Sequence, residues 1–289
     1  MSELRNLRAE DAEQVAALFV EAFGEARRLD AEEIRTWIDN KELKPEHLRV
    51  LEEDGVVVGY GDIWIEDDEV ALDVAAPGHW ERFLDWAEAE GRARDVTTRA
   101  YFPAGHELEQ VVAPRGYTLV RSSYTMEVDL DTPPPPPSLP DGLSLRSYRD
   151  EDEELLRGAL NESFEDDWHF HEVTPASFTE FYVKQRGHDP SLWLLAWDGG
   201  ELAGFVLATL ERVGDPELGW IGTLGVRPAW RRRGLGEALL RAAFAELFAR
   251  GRRRVGLGVD TENVSGALRL YERVGMRPIL QNNNWALEP

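Results

Sequence analysis

Residues 4–23 and 145–164 carry one pattern twice, and no other feature restricts the possible folds of this 289-residue chain so tightly. Leu4-Arg5, Arg8, Glu10-Asp11 and Glu21-Ala22-Phe23 are matched 141 positions on by Leu145-Arg146, Arg149, Glu151-Asp152 and Glu162-Ser163-Phe164, without a gap. Weaker echoes follow: Asp54-Gly55 and Gly59-Tyr60 against Asp198-Gly199 and Gly204-Phe205, Pro77 to Trp80 against Pro228 to Trp230, and Gly116-Tyr117 against Gly275-Met276. A period of about 140 residues is far longer than the ~20–50 residues of solenoid repeats and marks two copies of one domain. Between them, Thr132 to Pro140 reads TPPPPPSLP, and five consecutive prolines cannot donate to a helix or a sheet interior. This predicts a domain over 1–131, an extended linker over 132–140 and a second domain over 141–289.

Each copy begins with a short strand, then shows helical periodicity (Asp11 to Phe23; Glu151 to Phe164), a second helix and a hairpin turning at Asp-Gly. In the second copy, Ser191 to Trp197, Glu201 to Leu210, Gly219 to Val226 and Arg254 to Val259 read as strands. Gly234 to Ala249 and Asn263 to Val274 read as helices, with short strands to the end. Strands mixed with helical crossovers predict an α/β or α+β fold, with one mixed central sheet flanked by helices in each copy.

The chain carries a formal net charge of −23, so nucleic acid and anionic membranes repel it. It has no cysteine, which removes disulfides, thiolate metal sites and a cysteine nucleophile. The N-terminus lacks a signal-peptide core and no run of ~18 apolar residues occurs, so a cytoplasmic protein is the expectation. No feature specifies an oligomeric state.

Against that acidic background, Arg227 to Arg254 holds nine arginines and two glutamates. The stretch includes VRPAWRRRGLG, between an apolar strand and a helix, where backbone amides and a partial positive charge suit a phosphate. A Walker loop would need Lys and Ser or Thr after its last glycine, and Gly236 is followed by Glu237. A dinucleotide fingerprint would need a glycine at position 239, which is Leu239.

What remains is Arg-x-x-Gly-x-Gly, followed in order by RVGLGVDTEN and NVSGALRLYERVGM. This combination resembles the GNAT superfamily of N-acetyltransferases over residues 143–289. The resemblance implies acetyl-CoA as acyl donor and a primary amine, of a small molecule, as acceptor, with direct attack and no metal. It implies that Leu224, Gly225 and Val226 offer backbone groups to pantetheine. Arg231, Arg232, Arg233, Gly234, Leu235, Gly236 and Glu237 would wrap the pyrophosphate, Asn263 would contact the pantetheine arm, and Tyr271 would protonate the departing thiolate. A phenol with a pKa of about 10 stays protonated at neutral pH and can do so.

Plainer roles exist for the same residues. Asn263 also suits a helix N-cap, and Tyr271 shares a helical face with Ala267, Leu270 and Val274. Glu217, just before the strand, is a candidate general base or an exposed strand-end residue. His169 and His171 flank Phe170 as a metal pair would, without a third ligand. Glu165, Asp166, Asp167, Trp168 and His169 instead suggest an acceptor pocket for a cationic amine, or a solvated acidic helix end.

In the first copy, Arg231 to Gly236 falls on Glu81 to Trp86, ERFLDW, while Tyr271 falls on Val112 and Asn263 on Ala104. That copy is therefore a degenerate GNAT-like domain, and the chemistry is assigned to the second. A non-catalytic acyl-CoA sensor or interaction module on the same fold is the alternative, although a sensor needs no proton donor.

Overall fold

The repeated pattern is a fastener. In the computed structural model, which describes residues 4–40, 43–66, 68–168, 170–185, 187–263 and 266–289, the Arg5 guanidinium donates to both Asp11 carboxylate oxygens at 2.7 and 2.8 Å. The Arg8 amide donates to the same aspartate at 2.8 Å. Arg146, Asp152 and the Arg149 amide repeat the arrangement at 2.6, 2.7 and 2.9 Å. A two-pronged Arg–carboxylate pair fixes plane as well as distance, so it sets the angle between the first strand and first helix of each copy.

The chain divides into two packed units, Met1–Tyr124 with Leu280–Pro289, and Thr125–Ile279. The first contains β1 (Leu4–Asn6), α1 (Ala12–Phe23), α2 (Ala31–Asp39), β2 (Leu48–Glu53), β3 (Val56–Ile65), β4 (Glu69–Ala75), α3 (Trp80–Arg94), β5 (Thr97–Pro103), α4 (Leu108–Val112) and the start of β6 (Thr118–Asp129). Its sheet runs β1-β2-β3-β4-β5, antiparallel except for β4 and β5, which are parallel and joined through α3. The hairpin between β2 and β3 turns on Asp54 and Gly55 at φ 50° and 81°, the two positive values that a tight hairpin turn requires. Residues 282–287 complete the sheet antiparallel to β5.

One buried ion cluster distinguishes this unit. Asp62 and Asp73 sit opposite each other on β3 and β4; Asp73 takes Arg27 at 2.6 Å and Asp62 takes the Tyr60 hydroxyl at 3.0 Å. Burial, and then the Asp73 charge, push the Asp62 carboxyl up to about 8. A carboxyl raised in the folded state adds stability below its unfolded pKa near 4 and loses it as pH rises through the folded value. Asp62→Asn is therefore expected to unfold at a higher temperature than the parent at pH 8–9, with the gap closing toward pH 4. Each tenfold difference in proton affinity between the folded and unfolded chains is worth about 1.4 kcal/mol, and thermal unfolding across that pH range reads it.

The second unit contains the end of β6, β7 (Leu143–Ser147), α5 (Glu153–Phe164), α6 (Pro175–Phe178), β8 (Trp193–Asp198), β9 (Glu201–Thr209), β10 (Leu218–Val226), α7 (Leu235–Ala249), β11 (Arg254–Asp260), α8 (Ala267–Arg273) and the start of β12 (Arg277–Leu287). Its sheet runs β7-β8-β9-β10-β11, again antiparallel except for β10 and β11, which α7 joins in parallel. Residues 125–129 of β6 lie beside β11. Trp193, Leu195, Phe205 and Leu207 of β8 and β9 are buried with Leu156, Leu160 and Phe178 in its core. That core explains why β9 reads as a nearly unbroken apolar run.

The copies differ at one connection. Residues 76–79 join β4 to α3, whereas residues 227–234 join β10 to α7, and both helices are 15 residues long. Glu81 to Trp86 therefore lie inside α3 and are not the counterpart of Arg231 to Gly236. Counted from the helix starts, Leu235 and Gly236 fall on Trp80 and Glu81, and the connection before them is four residues shorter in the first copy. The end of the chain is a single strand, β12, rather than several short ones. No helix among the described residues is long and apolar enough to cross a membrane.

Candidate active site

The site begins with a flaw in pairing. β9 follows β10 to Val226, but a bulge at Gly222 shifts the register between Ile221 and Thr223. On the other side β10 pairs with β11 only from Leu218 to Ile221. A bulge bends its strand and ends pairing locally, so the two parallel strands diverge beyond Ile221. Gly222–Val226 and Gly258–Asp260 then face a cavity of about 970 Å³, at the upper end of the range usual for small-molecule sites. Leu224, Gly225 and Val226 present one backbone edge there.

Gly225 is glycine for packing. A Cβ on it would lie 2.2 Å from the ring of Phe205, which is fully buried. Gly234 is glycine for its backbone: it takes φ 84° as the N-cap of α7, and a Cβ there would meet nothing within 4 Å. Arg232 shares the left-handed conformation at φ 61°. The first bond of the helix runs from the Ala238 amide to the Gly234 carbonyl at 3.1 Å. The amides of Leu235, Gly236 and Glu237 thus precede the helical ladder, where donors are left for an anion. Gly236 also lets α8 approach, since a Cβ would sit 3.1 Å from Leu270.

Positive charge in this loop divides into structural and exposed parts. The Arg231 guanidinium donates to the Val226 carbonyl at 3.0 Å and the Ser163 carbonyl at 2.9 Å, fastening the loop to β10 and α5. Arg227 pairs with Glu162 at 2.6 Å, and the Trp230 indole donates to Asp198 at 2.9 Å. The Glu237 carboxylate accepts from Arg241 at 2.9 and 2.8 Å, and the residue lines the cavity. Arg232 and Arg233 are exposed, with Arg232 on the cavity wall and Arg233 off it.

Across the cavity stands α8. Tyr271 lines it and is only 7% exposed. Burial, and then the charge of Asp167, push its phenol up to about 12, so it remains a proton donor throughout the neutral range. Asn263 also lines the cavity, but it does not cap the helix: α8 starts at Ala267 with Gly266 as N-cap, and the Asn263 amide closes a turn onto the Asp260 carbonyl at 3.3 Å. Glu217 is not brought to this group. It is exposed at the far end of β10, roughly 23 Å from Leu224 at the strand rise of ~3.3 Å per residue, and it is absent from the cavity wall.

The end of α5 supplies the acidic side. Asp166 and Asp167 line the cavity beside Ser163 and Phe164, whereas Glu165 and Trp168 do not. His169, of the suggested histidine pair, lies outside the described residues. Ser163 is 8% exposed, and its Oγ has no hydrogen-bond partner among the described residues. Tyr182 is not legible in the sequence. It sits in a π-helical turn, Thr179–Val183, closed by the Lys184 amide on the Thr179 carbonyl at 2.9 Å. The extra residue of such a turn re-aims a side chain: Tyr182 stacks on Phe178 at 5.2 Å and reaches the cavity.

The acetyltransferase (GNAT) family model matches residues 154–276, the span that holds the splayed parallel pair, the glycine-bearing loop and Tyr271. The mycothiol acetyltransferase of Salinispora arenicola is 32% identical over 79% of this chain and 77% of its own length. That of Beutenbergia cavernae is also 32% identical, over 90% and 87%. This chain belongs to the GNAT acetyltransferase family. A GCN5-related N-acetyltransferase from Sphaerobacter thermophilus has a similar structure, with TM-score 0.80 and 28% identity over 99% of this chain and 95% of that one. A tandem GNAT protein from the clavulanic acid biosynthesis pathway shares the fold over 100% and 98%, with TM-score 0.74 and 18% identity. Tandem GNAT organisation therefore accounts for the repeat, and the chain is an acetyltransferase.

Proposed function

We propose that the second unit transfers the acetyl group of acetyl-CoA to the primary amine of a small molecule by direct attack. The observation that carries this reading is the shared wall: loop amides, an unpaired strand edge and the Tyr271 phenol all line one cavity. The amides of Leu235, Gly236 and Glu237 suit the pyrophosphate, and the edge from Leu224 to Val226 suits the amides of pantetheine. Tyr271 supplies the proton that the thiolate takes as the carbon–sulfur bond breaks. Asp166 and Asp167 favour a cationic amine on the opposite side. The names of the relatives favour a small-molecule acceptor.

Release of free thiol from acetyl-CoA, followed with a panel of glucosamine, cysteamine and putrescine, tests the reading. Amine-dependent release with formation of the N-acetyl product is expected. Tight acetyl-CoA binding with no release by any of the three would favour a sensor.

A further inference from the structure

Among the described residues, Arg231, Arg232, Arg269 and Arg273 line the cavity. Arg231 fastens the loop through two carbonyls. The other three are exposed, and in a chain of net charge −23 such a group calls for an anion. We propose that Arg269 and Arg273, with Arg232, bind a second phosphate of the donor: the phosphomonoester on the adenosine ribose of coenzyme A. The site then selects coenzyme A over its 3′-dephospho form; the assignment rests on the acetyl-CoA reading above.

The two helices that carry these residues meet at the first turn of α7. A Cβ on Gly236 would sit 3.1 Å from the Leu270 side chain, so α8 packs directly on the residues whose amides precede the helical ladder. Arg273 Nε lies 3.8 Å from Glu237 Oε2, which places this guanidinium beside that cradle. Arg269 stands one turn earlier on the same helix face, and the Arg273 guanidinium donates to the Arg269 carbonyl at 3.3 Å. These cations flank the amides without belonging to them, so they are placed for a phosphate on the sugar next to the pyrophosphate.

Charge at this rim is incompletely balanced. Neither Arg232 nor Arg269 has an ion-pair partner among the described residues. The contact of Arg273 with Glu237 is a long one, and that carboxylate already accepts from Arg241 at 2.9 and 2.8 Å. A phosphomonoester carries about −1.5 to −2 charge at neutral pH. Its oxygens match the two-pronged donor geometry of a guanidinium.

The first copy offers a comparison within the same chain. Its α4 ends as α8 does: the Tyr117 amide donates to the Val112 carbonyl at 3.3 Å, and the Met276 amide to the Tyr271 carbonyl at 3.0 Å. Gly116 and Gly275 close these turns at φ 95° and 93°. Counted from them, Gln110 and Pro114 hold the positions of Arg269 and Arg273. The copy with the shorter connection into its helix thus has no cation at either position, and the arginine pair accompanies the longer loop.

Calorimetric titration of coenzyme A and 3′-dephospho-coenzyme A into the parent, Arg269→Gln, Arg273→Gln and the double variant tests the assignment. The parent should bind coenzyme A about tenfold or more tightly than the dephospho form at low salt. That ratio should narrow as ionic strength rises, because the arginines are exposed. Each substitution should cut the ratio by about threefold, and the double variant should bring it to within about twofold of unity, with affinity for the dephospho form within about threefold of the parent's. A role confined to joining α8 to α7 would weaken both ligands alike and overturn the assignment, as would a double variant that keeps the parent's ratio. Equal affinity of the parent for the two ligands sinks this assignment alone. If the parent binds neither, the acetyl-CoA reading and this assignment fall together.

Discussion

Tyr271→Phe is expected to slow acetyl transfer by about 10²–10³-fold while leaving acetyl-CoA affinity within about twofold. The substitution removes one hydroxyl from a ring that is 7% exposed, so packing is kept and only the proton is lost. Because burial and Asp167 hold the phenol up to about 12, ionisation of Tyr271 should cause no decline in the parent's rate between pH 7 and pH 10. Steady-state kinetics on both proteins across that range measure these outcomes. A Tyr271→Phe protein with parental turnover would return Tyr271 to the role of a core aromatic.

Gly234→Glu has the second large effect, on binding. A Cβ at Gly234 meets nothing within 4 Å, so the fold accommodates the side chain. The φ of 84° costs a non-glycine residue about 1–2 kcal/mol. A carboxylate at the start of α7 would also repel a pyrophosphate at the amides of 235–237, where we propose that it binds. Acetyl-CoA affinity should fall at least about 100-fold, equivalent to roughly 2.7 kcal/mol. Gly234→Ala bears the same backbone strain without the charge and should lose far less. Calorimetric titration of the two variants separates strain from repulsion.

These residues also mark what a linear sequence exposes. Gly234, Gly236 and Tyr271 are legible because their roles depend on local spacing: a left-handed cap, a close helix approach and a position on one turn of helix. Glu217 is misplaced because strand periodicity does not say which end of β10 opens, and that is decided by the bulge at Gly222 and by where β11 stops pairing. Arg231 reads as an anion ligand in a row of three arginines, and the sequence does not show that it also fastens the loop through two carbonyls. Tyr182 is hidden because a π-turn has no apolar period of its own. Length differences are hidden too. Aligning ERFLDW with the loop treats a missing connection as a substituted one, and only the start of α3 at Trp80 corrects it.

The first copy retains more of the scaffold than the sequence comparison implies. Pairing of β4 with β5 stops at Leu72 and Ala100, so its parallel strands also part. Asp73, the next residue of β4, is tied to Arg27 at 2.6 Å. Where the second copy has an eight-residue connection that carries Arg232 and Gly234 in the left-handed conformation, this copy has only four residues.

The central claim, that donor binding and chemistry belong to the second unit, is tested most directly by the number of acetyl-CoA molecules bound per chain. Titration of the intact protein should give one site, and that site should disappear in Gly234→Glu. Two sites per chain, or one that survives the substitution, would contradict the account.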